Sequence, residues 1–405
     1  MNDFNLFDVW REENEDERIY TWKRRNKTGE IQMGRLDFYL VSQSLVNYSC
    51  KEKIRPGYRS DHSIIEITLS FSKEFSNKKN FWKFNNSLLY NFDFINEAKN
   101  SILSTKKQYS VLVYNKDNIQ NIENELFETY INPQLFLEML LLNLRSVSIS
   151  FSTALKKNEN SKIKDLELEI NKLETLDPVE NYENICCLKA ELQNLRGKKL
   201  HGSLIRSKAR WIEHGEKPSK YFCNLENRNF VSKRMTSLIN EKGEELNDQL
   251  SIKNEVFSFY NNLYSSREHV IESINLNEKL DFSTPKLTEA QALSIEGKIS
   301  LNEAYNTLKQ MQNNKSPGST GFTTEFFKFF WKDLGMFIVR SLNYGFEIGE
   351  LSSTQKEGII TCIPKGDKSR KFIKNWRPIS LLNVSYKIAS GCIANSIKKS
   401  FTVYH

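Results

Sequence analysis

Residues 313–387 constrain the fold most, because two turn-forming motifs enclose a strongly periodic apolar stretch. The first motif contains Ser316-Pro317-Gly318, a turn signal. A β-branched run at 358–363 and a Trp-Arg-Pro run at 375–383 flank a Lys-Gly-Asp turn, which predicts a basic β-hairpin. Between these motifs, apolar side chains recur about every fourth position, which predicts a long helix with one buried face. These side chains are Phe326, Phe330, Leu334, Ile338, Leu342 and Phe346.

The length and composition indicate a folded, multidomain chain. Its 405 residues are enough for two or three domains of ordinary size. The hydrophobic content of 39% excludes wholesale disorder, because that much apolar surface can build packed cores. We expect an α+β fold, since alternating runs and helical runs both occur.

The positive charge is concentrated in two stretches. The formal net charge is +8. Residues 196–234 carry eleven Lys or Arg against three Glu, and residues 362–399 carry nine against Asp367. Such concentrated charge favours binding to a polyanion, although a solvated Lys-rich face would give the same pattern.

The six cysteines and the apolar runs set further limits. The cysteines form no C-x-x-C pair and have no His at zinc-ligand spacing, which argues against a structural zinc site. No charged-then-apolar leader opens the sequence, and no apolar run approaches the ~18 residues of a membrane span. We therefore expect a reducing compartment, the nucleus or the cytoplasm, and no membrane partner.

Two alternating segments near the start predict strands at 36–42 and 65–71. The loop between them presents Asp61 and His62 at the end of the predicted sheet. Asp37 could accept a hydrogen bond from His62, fixing its tautomer so that the other ring nitrogen faces a phosphate or water. The alternative is that the Asp61-His62 pair only stabilises a turn.

Four short motifs carry a family resemblance: Trp10-Arg11, Thr21-Trp22, Arg35-Leu36-Asp37 and Ser60-Asp61-His62. Together they resemble the C-terminal end of the endonuclease/exonuclease/phosphatase family, in its apurinic-endonuclease-like retrotransposon branch. The resemblance implies that Asp37 orients a catalytic His62, that Asp61 is catalytic and lies beside Mg²⁺, and that Ser60 and Arg35 support the phosphate or the loop. The family's earlier strands, with a Glu metal ligand, are expected before Met1 and are absent from the sequence.

A helical hairpin is predicted on either side of Asp177-Pro178. The segment 81–89 resembles the stretch that follows the endonuclease in retrotransposon polyproteins. We expect 73–200 to be a structural spacer without chemistry. The apolar positions that predict the hairpin are Ile163, Leu166, Ile170, Leu173 and Leu176, followed by Ile185, Leu188, Leu192 and Leu195.

Basic and aromatic residues interleave in 201–285. Lys208, Arg210, Trp211 and Lys220 suit a nucleic-acid groove, where cations meet phosphates and rings stack on bases. The alternative is that Trp211 belongs to a core. The segment resembles the N-terminal extension of LINE-type reverse transcriptases.

Residues 286–405 resemble the opening fingers segment of a reverse transcriptase of the non-LTR (LINE-type) retrotransposon family. By that resemblance Lys365 and Arg377 match the basic residues that hold a nucleotide triphosphate. Two departures are Thr320, where the family usually has Asp, and Ser396, where it has Arg. No Tyr-x-Asp-Asp or Phe-x-Asp-Asp motif occurs in the 405 residues, so the palm carboxylates are expected to be missing.

Together these observations predict four segments. They are a truncated endonuclease-like domain (1–72), a helical connector with a coiled-coil-like hairpin (73–200), a basic extension (201–285) and truncated fingers (286–405). The expected function is that of a retrotransposon endonuclease and RNA-directed DNA polymerase fragment that binds RNA and DNA, with Mg²⁺ implied by resemblance and catalysis incomplete. The alternatives are a non-catalytic nucleic-acid-binding protein of transposon descent, or a product without a stable fold.

Overall fold

A computed structural model describes residues 6–46, 51–57, 60–70, 81–113, 126–176, 180–207, 235–265, 288–366 and 368–401. The helices are α1 (Val9–Glu13), α2 (Gln43–Val46), α3 (Phe92–Tyr109), α4 (Pro133–Leu176), α5 (Tyr182–Ser207), α6 (Gln249–Tyr264), α7 (Glu289–Ile295), α8 (Leu301–Gln310), α9 (Thr324–Phe329), α10 (Trp331–Ile348), α11 (Ser353–Lys356) and α12 (Val384–Phe401). Short 3₁₀ helices lie at Asn86–Tyr90 and Ile373–Asn375.

The strands within these ranges pair two by two, and every pair is antiparallel. The pairs are β1–β4, β2–β3, β5–β6, β7–β8, β9–β10 and β11–β12. The strands are β1 (Leu6–Asp8), β2 (Trp22–Arg25), β3 (Ile31–Gly34), β4 (Leu40–Ser42), β5 (Lys51–Arg55), β6 (Ile64–Thr68), β7 (Ser110–Val113), β8 (Leu126–Thr129), β9 (Leu238–Ile239), β10 (Glu245–Leu246), β11 (Gly358–Pro364) and β12 (Trp376–Leu382).

The chain divides into two compact units. The first consists of residues 1–79 and 153–232, and the second of residues 80–152 and 233–405. This division differs from the four segments expected from the sequence. The expected connector, 73–200, is split between the units near residue 152, inside helix α4.

The first unit corrects the strand predicted over 36–42. Only Leu40–Ser42 is a strand, because the amides of Leu36 and Asp37 both donate to the buried Thr21 hydroxyl at 2.9 Å instead of to a neighbouring strand. Leu36 and Leu40 are exposed, whereas Val41 is buried. The second predicted strand is present as Ile64–Thr68, and Phe71 lies outside the described residues.

The predicted helical hairpin is confirmed within the first unit. The predicted apolar positions of α4 and α5 pack together around Ile170 and Leu192, which are fully buried. An ion pair between Arg196 of α5 and Glu167 of α4 also links the two helices. Leu176 is the exception, at 69% exposed.

The second unit has one large core, and residues 81–152 supply much of it. Phe84 and Phe94 from this stretch lie in the same buried cluster as Phe322 and Phe326. The ring centroids of Phe84 and Phe326 are 4.8 Å apart. The first half of the expected connector is therefore part of the packed core and not a separate spacer.

A backbone contact fastens residues 81–87 to the turn at 318–323. The Phe84 amide donates to the Gly321 carbonyl at 2.9 Å, and the Thr323 hydroxyl donates to Asn86 at 2.6 Å. Gly321 has a φ of 80°, and a Cβ there would lie 2.2 Å from the Trp82 ring. Only glycine satisfies both the left-handed backbone and the close approach of the indole.

The predicted apolar helix at 326–346 is divided into α9 and α10 at Phe330, whose φ of −91° and ψ of 19° depart from helical values. Its buried stripe is otherwise confirmed from Phe326 to Leu342, whereas Phe346 is 50% exposed. A capping box formed by Ser300 and Glu303 begins α8.

Helix α4 is long and apolar enough, by length and composition, to cross a membrane. This corrects the expectation that no stretch reaches that limit. Within the second unit, however, the apolar side chains of its first turns are buried in the core, which accounts for their hydrophobicity. They include Phe136, Leu137, Leu140, Leu141 and Leu144.

Candidate functional site

A loop at residues 60–63 is bonded along strand β2 in the first unit. The Lys23 amide donates to the Asp61 carbonyl at 3.0 Å, and the Ser63 amide donates to the Thr21 carbonyl at 2.6 Å. Trp22 and His62 form an antiparallel bridge. A Cβ on Gly57 would lie 1.9 Å from the His62 carbonyl oxygen, so glycine lets the loop close. These bonds give Asp61 and His62 a fixed backbone.

Two donors hold the Asp61 carboxylate. The Trp22 indole Nε1 donates to Oδ2 at 3.0 Å, and the Ser60 hydroxyl donates to Oδ1 at 3.3 Å. The indole hydrogen bond is the largest cause of a lowered pKa for Asp61. Asp61 is therefore an exposed carboxylate that stays charged and is oriented by its neighbours.

The hydrogen bond expected between His62 and Asp37 is present. His62 Nδ1 lies 2.7 Å from Asp37 Oδ2, and this contact is the main cause of a raised pKa for His62. Thr21 fixes the Asp37 amide in turn. Nδ1–H donation to a carboxylate leaves Nε2 as the ring nitrogen open to a substrate. The catalytic roles of Asp37, Asp61 and His62 stay predictions.

Arg35 does not support this loop as the sequence suggested. Its guanidinium donates to both oxygens of Asp8, at 2.5 and 2.7 Å, and lies 4.9 Å over the Trp10 ring. Asp8 also caps α1 by accepting from the Arg11 amide. Both terminal nitrogens of the Arg35 guanidinium are thus bonded to the carboxylate that caps α1. Arg35 therefore stabilises the start of this helix. Its proposed phosphate contact has no support in this geometry.

A buried carboxylate that was not predicted from the sequence lies beside the Arg35–Asp8 pair. Glu52, on β5, is 8% exposed, and neither of its oxygens has a hydrogen-bond partner of good geometry. Burial, followed by repulsion from Asp8, raises the pKa of Glu52, while Arg35 and the Trp10 amide offset part of the effect. Its charged form is disfavoured in the folded chain.

We expect Glu52→Gln to raise the free energy of unfolding of the first unit at neutral pH, because it removes the cost of keeping a buried carboxylate charged. A raised folded-state pKa means that the wild-type chain loses stability as pH rises from the unfolded value through the folded one. The gain should therefore fade below the ordinary Glu pKa. This gain is measured by urea unfolding at a series of pH values, with hydrogen exchange of the β5 and β6 amides as the readout for the first unit. The exposed Glu12→Gln is the control, and an equal gain at every pH would contradict the account.

The second candidate region is the hairpin of β11 and β12. Ile363 pairs with Arg377, and the Lys365 amide extends the ladder by donating to the Asn375 carbonyl at 2.8 Å. Directly opposed residues share a face, and faces alternate along a strand, so Lys365 and Arg377 lie on the same face. Arg377 is exposed, and Lys365 Nζ donates to the Lys374 carbonyl at 2.7 Å.

The opposite face of the hairpin is covered. Trp376 is 2% exposed and packs with Tyr260 and Ile252 of α6. The Tyr260 hydroxyl donates to the Trp376 carbonyl at 3.4 Å, and burial raises the pKa of Tyr260 to about 12. An ion pair between Lys371 and Glu245 joins the hairpin to β10. Packing on one face leaves the basic face open.

A buried asparagine anchors the far end of this hairpin. Asn383 is 1% exposed, and its Oδ1 accepts from both the amide and the hydroxyl of Thr320 at 3.0 Å. Its Nδ2 donates to the Ser319 hydroxyl at 3.0 Å and to the Thr354 carbonyl at 2.5 Å. Thr320, which stands where the resembled family usually has Asp, is therefore a hydrogen-bond partner of Asn383. Sequence reasoning missed this hub because an Asn after an apolar strand signals only a turn.

The nucleic-acid-binding residues predicted at Lys208, Arg210, Trp211 and Lys220 lie outside the described residues, as does Asp367. Within the described ranges, no group of three or more His, Cys, Asp or Glu side chains lies close enough to hold a metal ion. Asp61 alone cannot supply the near-octahedral oxygen shell that Mg²⁺ requires. These residues therefore do not fit a Mg²⁺ site on their own.

Comparison with known proteins points to a mobile element. No family model matches the chain. The chain is 29% identical over 399 residues to a Xenopus laevis protein described as the transposon TX1 uncharacterized 149 kDa protein. The match covers 98% of this chain and 29% of that protein, so the chain spans less than a third of its relative's length. Over nearly its whole length, the chain is therefore similar to a transposon-encoded protein.

Proposed function

We propose that the chain is a segment of a non-LTR retrotransposon protein, joining the end of an apurinic-endonuclease-like domain to the start of a reverse transcriptase. The activity that we assign to these 405 residues is binding of RNA and DNA. The observation that carries it is the hairpin of β11 and β12, whose apolar face is packed while Lys365 and Arg377 share the open face.

The chemistry of that face suits phosphate. An Arg fork can donate two parallel hydrogen bonds to phosphate oxygens, and a Lys ammonium adds a point charge. Phosphate contacts position a nucleic acid without reading its bases. We therefore expect RNA and single-stranded DNA to bind with little sequence preference, and the same face to accept the triphosphate of a nucleotide.

The first unit supplies a second candidate contact with a phosphodiester. Asp37 holds His62 Nδ1, so Nε2 could donate to a phosphate oxygen or accept a proton from water. The raised pKa of His62 favours the charged ring, which would attract an anion.

The Lys365→Ala/Arg377→Ala double variant is expected to weaken binding and flatten its salt dependence. Two lost phosphate contacts should reduce the slope of log affinity against log salt by about 1.4 for single strands. Fluorescence anisotropy with short labelled RNA and DNA measures this slope. Lys332→Ala, which removes an exposed lysine of α10, is the matched control and should change it by half as much or less. An unchanged slope in the double variant would remove the hairpin from the binding surface.

A further inference from the structure

The tip of the α4–α5 hairpin contacts strand β2 through a nearly buried carboxylate. Glu174, whose side chain is 8% exposed, bonds to Lys23 through Oε2 and to Lys189 through Oε1, the latter at 3.0 Å. The Arg25 guanidinium lies 5.0 Å over the Tyr182 ring. Lys23 and Arg25 are two residues apart on β2 and so project from the same face. One face of β2 is thus docked on the end of α4 and the start of α5.

The same strand carries the bonds that fix the candidate phosphodiester site. Trp22 donates its indole N–H to Asp61, and the Lys23 amide donates to the Asp61 carbonyl at 3.0 Å. Lys23 therefore touches both structures, with its amide on the Asp61 loop and its ammonium on Glu174. An exposed ion pair contributes little to stability, but removing a partner from a carboxylate as shielded as Glu174 costs more stability.

We propose that the helical hairpin is a positioning element for the Asp37–Asp61–His62 cluster, acting from Glu174 through Lys23. It holds β2 in the register that aims the Trp22 indole at Asp61. Displacement of the hairpin tip would then loosen Asp61 without touching it. The catalytic meaning of this coupling rests on the proposed function, but the coupling itself does not.

The test is hydrogen exchange of the Trp22 indole N–H in the full chain, followed by ¹H–¹⁵N NMR. Glu174→Gln and Lys23→Met are each expected to speed this exchange by about fivefold, the size of one partly shielded ion pair. Lys23→Arg keeps the charge and should restore the wild-type rate. Amides of β5 and β6, in the same unit, report whether a variant has simply failed to fold.

Lys189→Met is the matched control, because Lys189 shares Glu174 but does not lie on β2. It should leave the indole exchange unchanged. Equal acceleration by Lys189→Met and Lys23→Met would show that hairpin stability, not docking of β2, is responsible and would overturn the proposal. So would an unchanged rate in Lys23→Met. Because this readout uses no nucleic acid, loss of RNA and DNA binding would count against the proposed function alone.

Discussion

Phe84→Ala is expected to destabilise the second compact unit by about 3–5 kcal/mol. Phe84 is 2% exposed, and its ring lies 4.8 to 5.9 Å from the rings of Phe94, Phe322 and Phe326. Removing it leaves a cavity among these rings. Its backbone is bonded to Gly321, so the segment cannot shift easily to fill the space.

This loss of stability is measured by urea unfolding, with hydrogen exchange of the α9 and α10 amides as the readout. Phe81→Ala is the matched control, because Phe81 is 45% exposed and lies three residues before Phe84. It should cost less than about 1 kcal/mol. Loss of protection confined to α3, with α9 and α10 unaffected, would contradict the single core described for residues 81–152 and 299–392.

Asn383→Ala is expected to cost about 3 kcal/mol or more in the same unit. The substitution leaves the Thr320 amide and the Thr354 carbonyl without the partners they have in the folded chain, and each unsatisfied buried group costs about 1–3 kcal/mol. Asn383→Asp should cost nearly as much, because it places a second acceptor against the Thr354 carbonyl. The hairpin should loosen at its anchored end, so binding to RNA should weaken as well.

The comparison variant is Asn302→Ala, at an exposed position of α8, which should change stability by less than about 0.5 kcal/mol. Thermal unfolding, with protection of the Thr320 amide as the local probe, distinguishes the two substitutions. If Asn383→Ala and Asn302→Ala cost the same, Asn383 is not the anchor inferred from its four hydrogen bonds.

Periodicity predicted the parts of the fold that depend on one repeating face. The hairpin around Ile170 and Leu192 and the stripe from Phe326 to Leu342 were predicted because a helix buries every third or fourth residue. The strand predicted over 36–39 is absent, because the Thr21 hydroxyl accepts from the Leu36 and Asp37 amides that a strand ladder would use. No local pattern could reveal that competition.

Long-range contacts explain the other differences. The Thr323–Asn86 bond joins residues 237 positions apart, and aromatic residues at 81–94 have no periodicity that names their partners. At the candidate site, the Asp37–His62 bond was predictable because both residue types sit on adjoining elements. The pairing of Arg35 with Asp8 was not predictable, because a guanidinium binds phosphate and carboxylate equally well. Only the position of Asp8 in the fold decides between them.

Binding of nucleic acid through phosphate contacts is the activity that we propose for this chain. The most direct measurement is the affinity of the unmodified chain for short single-stranded RNA and DNA over a series of salt concentrations. Contacts from Lys365 and Arg377 alone predict a slope of log affinity against log salt of about −1.4 or steeper, similar for both nucleic acids. Binding that does not change with salt, or no binding at low salt, would contradict the account.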